Sequence, residues 1–358
     1  MFSQRGLQTG LFWIQEESRM IIHYPCPECG AEMTYDIKKS KLCCSHCGHT
    51  LVPEEVQPQG GAAEDEAEIP EGETYACPNC GGVFITEEKE TSTLCAYCGT
   101  PMILADRFSG KRRPARILPF RMNRADAEDA FRKWCRNGLF APKGFVSAKN
   151  IQRLKAMYVP YWLFHFDTRA EAFAKATNIH IFRQGDYEIT ETEFFDIHRA
   201  YQLRYENIPY DASAKLDDGE MAKLEPFNFD GLKAFSMPYL AGFESSGYDF
   251  DDEALAPAVK DKVTHYAEDY IRGAVSGYTT VTIQEKRVDF TREAGEFIYV
   301  PVWFVAYNYR GTVYKFMMNG QNGRVAGKPP LSRAKMNLWW AGISGALFLA
   351  ALAGSFLI

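Results

Sequence analysis

The chain has 358 residues, room for two or three domains, with 46% hydrophobic and 14% aromatic residues and a net charge of −6. That composition implies a sizeable core. It gives no overall positive charge for a phosphate backbone to attract.

Residues 1–19 look unlike the rest. Gln15–Met20 matches what a purine-rich, ribosome-binding-like stretch before a start codon would encode, so translation is expected to begin at Met20, with 1–19 a non-native extension. The apolar run Gly10–Ile14 is too short for a signal peptide.

The next segment carries one cysteine pattern twice, offset by 51 residues. Cys26-Pro27-Glu28-Cys29-Gly30 and Cys44-Ser45-His46-Cys47-Gly48 form the first copy; Cys77-Pro78-Asn79-Cys80-Gly81 and Cys95-Ala96-Tyr97-Cys98-Gly99 form the second. Two Cys-x-x-Cys knuckles supply four soft ligands to one tetrahedral zinc, and the following glycine permits the tight turn around it. Two structural zinc ions are expected, one on Cys26, Cys29, Cys44 and Cys47, the other on Cys77, Cys80, Cys95 and Cys98. Cys43 has no counterpart in the second copy and is read as a spare, with Cys135. His46 and His49 have no histidine equivalents and are read as non-ligands. A disulfide framework fits poorly, because the cysteines cluster in knuckles in the first third of a large chain.

The two ribbons, assigned to 20–52 and 74–105, flank an acidic linker at 53–73 that holds eight acidic and no basic residues. From Met20 to Ala105 there are 14 acidic and 4 basic residues, which argues against a nucleic-acid interface. The balance then reverses. Arg107, Lys111, Arg112, Arg113 and Arg116 form a basic stretch, expected to pair with the acidic ribbons or to face anionic headgroups.

An α+β domain is expected over 106–330. Arg116–Met122 reads as a strand, Ala125–Arg136 as a helix capped by Asn123 with Asp126 at N3, and Ser147–Ala156 as a second short helix. Met157-Tyr158-Val159-Pro160-Tyr161-Trp162 resembles Ile298-Tyr299-Val300-Pro301-Val302-Trp303, and each lies downstream of a predicted helix. This suggests a duplicated helix–strand unit, with the polar, β-rich stretch Ala172–Ala214 inserted between the copies. Asp249, Asp251, Asp252 and Glu253 suit a loop and a helix N-terminus. The helix is expected to start near Pro257 and end near Val275. Strands follow at 278–290 and 297–309, with hairpin turns at Gly311 and Asn319–Gly323.

The segment 331–358 is read as a basic juxtamembrane stretch and one transmembrane helix. Asn337–Ile358 carries no charge, its apolar run of about 21 residues suits a bilayer core, and Trp339 and Trp340 sit at its start. Arg324, Lys328, Arg333 and Lys335 precede it, placing the soluble part in the cytoplasm by the positive-inside rule. The chain would then be a single-pass tail-anchored protein of the bacterial inner membrane, with Gly342, Ala346, Ala350 and Gly354 as a small-residue stripe for helix association.

No catalytic signature is present: no phosphate loop, no His-Glu-x-x-His, no nucleophile elbow. The remaining histidines, His165, His180, His198 and His265, lack metal spacing.

Paired Cys-Pro-x-Cys-Gly knuckles, a Tyr-Val-Pro-x-Trp strand used twice, the stretch Asn319–Gly327 and a hydrophobic C-terminus occur in that order. In this the chain resembles the bacterial membrane-anchored TFIIB-type zinc-ribbon proteins, sometimes labelled primosomal-helicase-like, although it lacks helicase motor motifs. The resemblance implies protein partners of the SPFH-domain or phage-shock membrane-stress type. The reading that follows is a non-enzymatic, zinc-stabilised adaptor or scaffold at the cytoplasmic membrane face. The alternative is a nucleic-acid-binding zinc-ribbon protein.

Overall fold

The computed structural model describes residues 21–56, 74–108, 112–136, 153–309 and 311–355. The expected extension at 1–19, Met20 and most of the acidic linker lie outside them. So do Lys111 and residues 147–152 of the second expected helix, whose last two positions, Lys155 and Ala156, open a strand instead.

Among the described residues sixteen strands follow in chain order. The first ribbon holds β1 (Ile21–Ile22), β2 (Met33–Asp36), β3 (Lys41–Cys44) and β4 (Thr50–Leu51); the second holds β5 (Thr74–Ala76), β6 (Val83–Ile85), β7 (Glu90–Leu94) and β8 (Pro101–Leu104). Then come β9 (Arg116–Ile117), helix α1 (Arg124–Arg136), β10 (Lys155–Gln184), β11 (Tyr187–Asp211), the short α2 (Asp218–Ala222), β12 (Lys233–Ala234), β13 (Glu244–Ser246) and α3 (Asp252–Ala274). The chain finishes with β14 (Thr280–Tyr309), β15 (Thr312–Asn319), β16 (Val325–Ala326) and α4 (Arg333–Ser355).

One mixed sheet of eleven strands organises the described residues: eight run in the order β1-β8-β7-β13-β10-β14-β15-β16, β11 pairs with β10, and β9 pairs with β14 and β12. Its centre is the antiparallel pair β10–β14, in which the two related motifs lie against each other: Tyr158 faces Pro301, Val159 faces Val300 and Pro160 faces Tyr299. Around Val159 and Val300 the flanking contacts recur two by two. β13 runs parallel to β10 at Met157 and Tyr158, and β9 runs parallel to β14 at Ile298 and Tyr299. Trp162 Nε1 donates to the Phe250 carbonyl and Trp303 Nε1 to the Met122 carbonyl, each at 2.9 Å. The backbone N–H groups of Ala212 and Gly320 donate to the carbonyls of Pro160 and Pro301. Helices α1 and α3 begin at equivalent places, capped by Asn123 and Asp251. The strand leading each helix pairs with the long strand of the other unit, so the two halves interlock.

Helix α3 starts earlier than Pro257. Asp251 Oδ1 accepts from the Ala254 N–H at 2.8 Å, and Asp252 and Glu253 complement the positive helix end, so the acidic cluster rather than the proline sets the start. The strands expected at 278–290 and 297–309 are one continuous strand, β14.

Beyond the shared motif, β10, β11 and β14 extend as a three-stranded arm. At about 3.3 Å per residue, β10 alone is about 100 Å long. Ala170, Ala172, Ala174 and Ala176 are buried along one face, and α3 lays Ala267 and Ile271 against the first two. Small side chains at alternate strand positions let the helix approach closely. Past Thr177, which pairs with Thr280, β10 has β11 alone as its partner, and the two turn at Gly185.

The expected single-pass placement in the inner membrane is overturned. Among the described residues no helix is long and apolar enough to cross a membrane.

Candidate metal centres

The four knuckles share one backbone design. In each, the N–H of the glycine donates to the first cysteine's carbonyl at 2.8–3.0 Å: Gly30 to Cys26, Gly48 to Cys44, Gly81 to Cys77 and Gly99 to Cys95. The first cysteine's own N–H reaches forward to Ala31, His49, Gly82 or Thr100. The four glycines have φ between 71° and 79°, a left-handed conformation that costs other residues about 1 kcal/mol or more.

These turns bring the eight predicted cysteines into two clusters, Cys26, Cys29, Cys44 and Cys47, and Cys77, Cys80, Cys95 and Cys98. Sulfur–sulfur separations are 3.5 Å for Cys26–Cys47 and Cys29–Cys44, 3.6 Å for Cys77–Cys98 and 3.8 Å for Cys80–Cys95. A tetrahedron with metal–sulfur bonds of about 2.3 Å has edges of about 3.8 Å, so each quartet fits a metal ion of that kind. His46 and His49 are outside the clusters, as are Cys43 and Cys135.

Protons are shared unevenly among the thiols. Cys44 is drawn down to about 6, chiefly by the Cys47 backbone N–H, and Cys98 to about 6 by the Thr100 hydroxyl. Cys47 and Cys80 are pushed up to about 12: the N–H groups of His49 and Gly82 lower them, but contact with neighbouring thiols and burial outweigh this. A divalent cation removes the conflict by holding all four sulfurs as thiolates.

Each ribbon is joined to the main body differently. The first meets the sheet's edge, where β1 pairs with β8, and docks otherwise through a backbone hydrogen bond and side-chain contacts. The Tyr35 N–H donates to the Ala241 carbonyl at 2.9 Å, the Tyr239 hydroxyl donates to Glu54 Oε1 at 2.6 Å, and the rings of Tyr35 and Tyr239 lie 5.2 Å apart. The second is part of the sheet: β7 pairs with β13. Beneath that pairing lies a buried hydroxyl chain. Ser245 Oγ is 2.6 Å from both Thr91 Oγ1 and Ser92 Oγ, and Thr91 Oγ1 is 3.0 Å from the Tyr299 hydroxyl.

Comparing the two copies in the sequence also exposes supporting residues that ligand spacing alone does not mark. Where the first ribbon has Glu28 and His49, the second has Asn79 and Thr100. Asn79 Nδ2 donates to Thr100 Oγ1 at 2.9 Å, which in turn lies 3.1 Å from Cys98 Sγ. The basic stretch divides as well. Arg107 is buried and donates to the backbone carbonyls of Glu87 and Glu90 and to Thr86 Oγ1, stitching the second ribbon together. Arg116 pairs with Glu296 inside the α+β body.

A Bacillus subtilis protein, the uncharacterized protein YdjG, is 43% identical over 334 residues, covering 92% of this chain and 96% of its own length. No family model matches the chain, and no solved structure matches it. The chain belongs to the family of YdjG.

Proposed function

We propose that this member of the YdjG family is a non-enzymatic adaptor whose two ribbons are folded by structural zinc and whose three-stranded arm is presented to protein partners. One observation carries the reading: Cys95 and Cys98 of the second thiol quartet lie in the turn between β7 and β8, strands of the sheet bearing the arm. A metal there would hold the scaffold's edge rather than face a substrate. Four protein sulfurs also fill a tetrahedral ion, leaving no open position for chemistry. The acidic ribbon surfaces and the exposed apolar side chains of the arm are the contact surfaces. By resemblance, the partner would be of the SPFH-domain or phage-shock type.

The test is affinity capture from the native host with three baits: the wild-type chain, a chain with residues 177–195 replaced by a short turn, and Cys95→Ser. A defined partner that is retained by the wild type and reduced at least tenfold with both variants is expected. A partner held equally by all three, or turnover of a small molecule by the purified protein, would overturn the reading.

A further inference from the structure

The outer end of the arm is a two-stranded ribbon with an unusual surface. Over residues 177–195 it carries four acidic side chains, Asp186, Glu188, Glu191 and Glu193, against one basic residue, Arg183. Among them stand large apolar side chains in solvent: Phe194 is 80% exposed, Tyr187 77%, Ile181 63% and Phe182 47%. A two-stranded hairpin is marginal by itself in water, and exposed apolar clusters rimmed by charge mark contact surfaces.

A second surface has the opposite charge. Helix α4 follows Lys328 and opens with Arg333 and Lys335, and no acidic residue lies between Arg324 and the end of the chain. Its described apolar residues are also in solvent: Leu338 is 76% exposed, and Trp340, Leu347 and Phe348 each about two-thirds. The sizes match. Arg333–Phe348 rises about 24 Å as a helix, and Thr177–Gln184 spans about 26 Å as a strand.

Within one chain the two surfaces start far apart. Strand β16 joins β15 at Met318, which faces Trp303, which faces Ala156 at the base of the arm. From Ala156 to Thr177 the arm runs about 70 Å. The seven residues from Ala326 to Arg333 reach at most about 25 Å, and the helix to Phe348 adds about 24 Å. We propose that the acidic, aromatic end of the arm docks the basic, apolar helix α4 of a second copy of this chain. Opposite charges set the approach, and burial of the apolar side chains on both surfaces supplies the affinity. Such a contact is head-to-tail, so copies assemble into a closed ring or an open chain rather than an isologous dimer.

The experiment uses the purified full-length chain, which separates it from the partner capture above. Sedimentation is followed against concentration for the wild type, for Glu188→Lys/Glu191→Lys/Glu193→Lys, for Lys328→Glu/Arg333→Glu, and for the two sets combined. Zinc content and circular dichroism check that each variant is folded. The wild type is expected to associate, each single set to raise the dissociation concentration at least tenfold, and the combination to restore association. A photo-crosslinking phenylalanine analogue at Phe182, in mixed labelled and unlabelled copies, is expected to attach to residues 336–348 of a second copy. A monomer at all concentrations, association indifferent to both charge reversals, or a cross-link within one copy or to another region would overturn the proposal.

Discussion

Val159 of β10 and Val300 of β14 face each other across the centre of the sheet, and each is the middle residue of a Tyr-Val-Pro. The relation makes the two copies of the motif antiparallel partners of each other. Trp162 and Trp303 lie on the same face of the sheet, so whatever one does at its end of the pair the other repeats at the opposite end.

Replacing either tryptophan should therefore cost a similar amount. Trp162→Phe removes the donor to the Phe250 carbonyl and Trp303→Phe the donor to the Met122 carbonyl. Each change leaves a carbonyl short of its partner at a helix entrance, at a cost of about 1–3 kcal/mol. Denaturant midpoints of the zinc-loaded protein measure it. A loss confined to one variant would break the equivalence.

Metal analysis of the purified protein is expected to give two zinc ions per chain. Cys44→Ser should lower this to one, whereas Cys43→Ser should leave two, because Cys43 stands outside the cluster. Structural zinc binding is worth of order 10–16 kcal/mol, more than a ribbon's small core supplies. Equal losses from the two changes would reject the ligand assignment.

Loss of the second metal should be felt in the sheet. In Cys95→Ser, hydrogen exchange is expected to accelerate at Glu90–Leu94 and also at Glu244–Ser246, because β13 loses its neighbour and the hydroxyl chain at Ser245 opens. In Cys44→Ser the acceleration should stay in the first ribbon and its contacts at Tyr239 and Ala241. Unchanged exchange at β13 in Cys95→Ser would show that the second ribbon is mechanically separate.

The two cysteines outside the clusters should differ sharply toward a thiol reagent. Cys135 is 2% exposed, and burial pushes its thiol up to about 12, so at neutral pH it has almost no thiolate. Cys43 is half-buried, and desolvation raises it more modestly against the lowering pull of Lys39. Iodoacetamide added to the zinc-loaded protein should label Cys43, at a rate that climbs as alkaline pH deprotonates it, and should reach Cys135 after unfolding. Mass spectrometry of tryptic peptides reads both. Early labelling of Cys135 would mean that the α1 packing opens.

The ribbons were legible because metal ligation imposes a local rule: sulfur spacing and one glycine per knuckle fix the turn whatever surrounds it. The repeated Tyr-Val-Pro-x-Trp was visible too, but not that its copies pair with each other, since strand partners 141 residues apart leave no local trace. The arm was hidden for a related reason. Its strands are buried on one face by alternating alanines at 170–176, which carry little hydrophobic signal, and polar elsewhere, so the stretch reads as an insertion. The C-terminal helix shows the opposite error. An apolar composition reads as a span, yet among the described residues no helix is long and apolar enough to cross a membrane. Ser92, Ser245 and Thr91 gave no signal, because a buried hydroxyl is indistinguishable in sequence from a surface one.

The interlocking of the two halves has a consequence for synthesis on the ribosome. Strand β10 is complete in its pairing once β14 has emerged, and Phe164 and Tyr158 precede their partners Gly295 and Pro301 by 131 and 143 residues. At about 5–20 residues per second, the nascent chain carries Tyr158, Tyr161, Leu163 and Phe164 without their cover for about 7–29 s. The metal knuckles close far sooner, from local sequence. The young protein thus has a folded head and an open, apolar strand behind it, the form most exposed to chaperones and to aggregation.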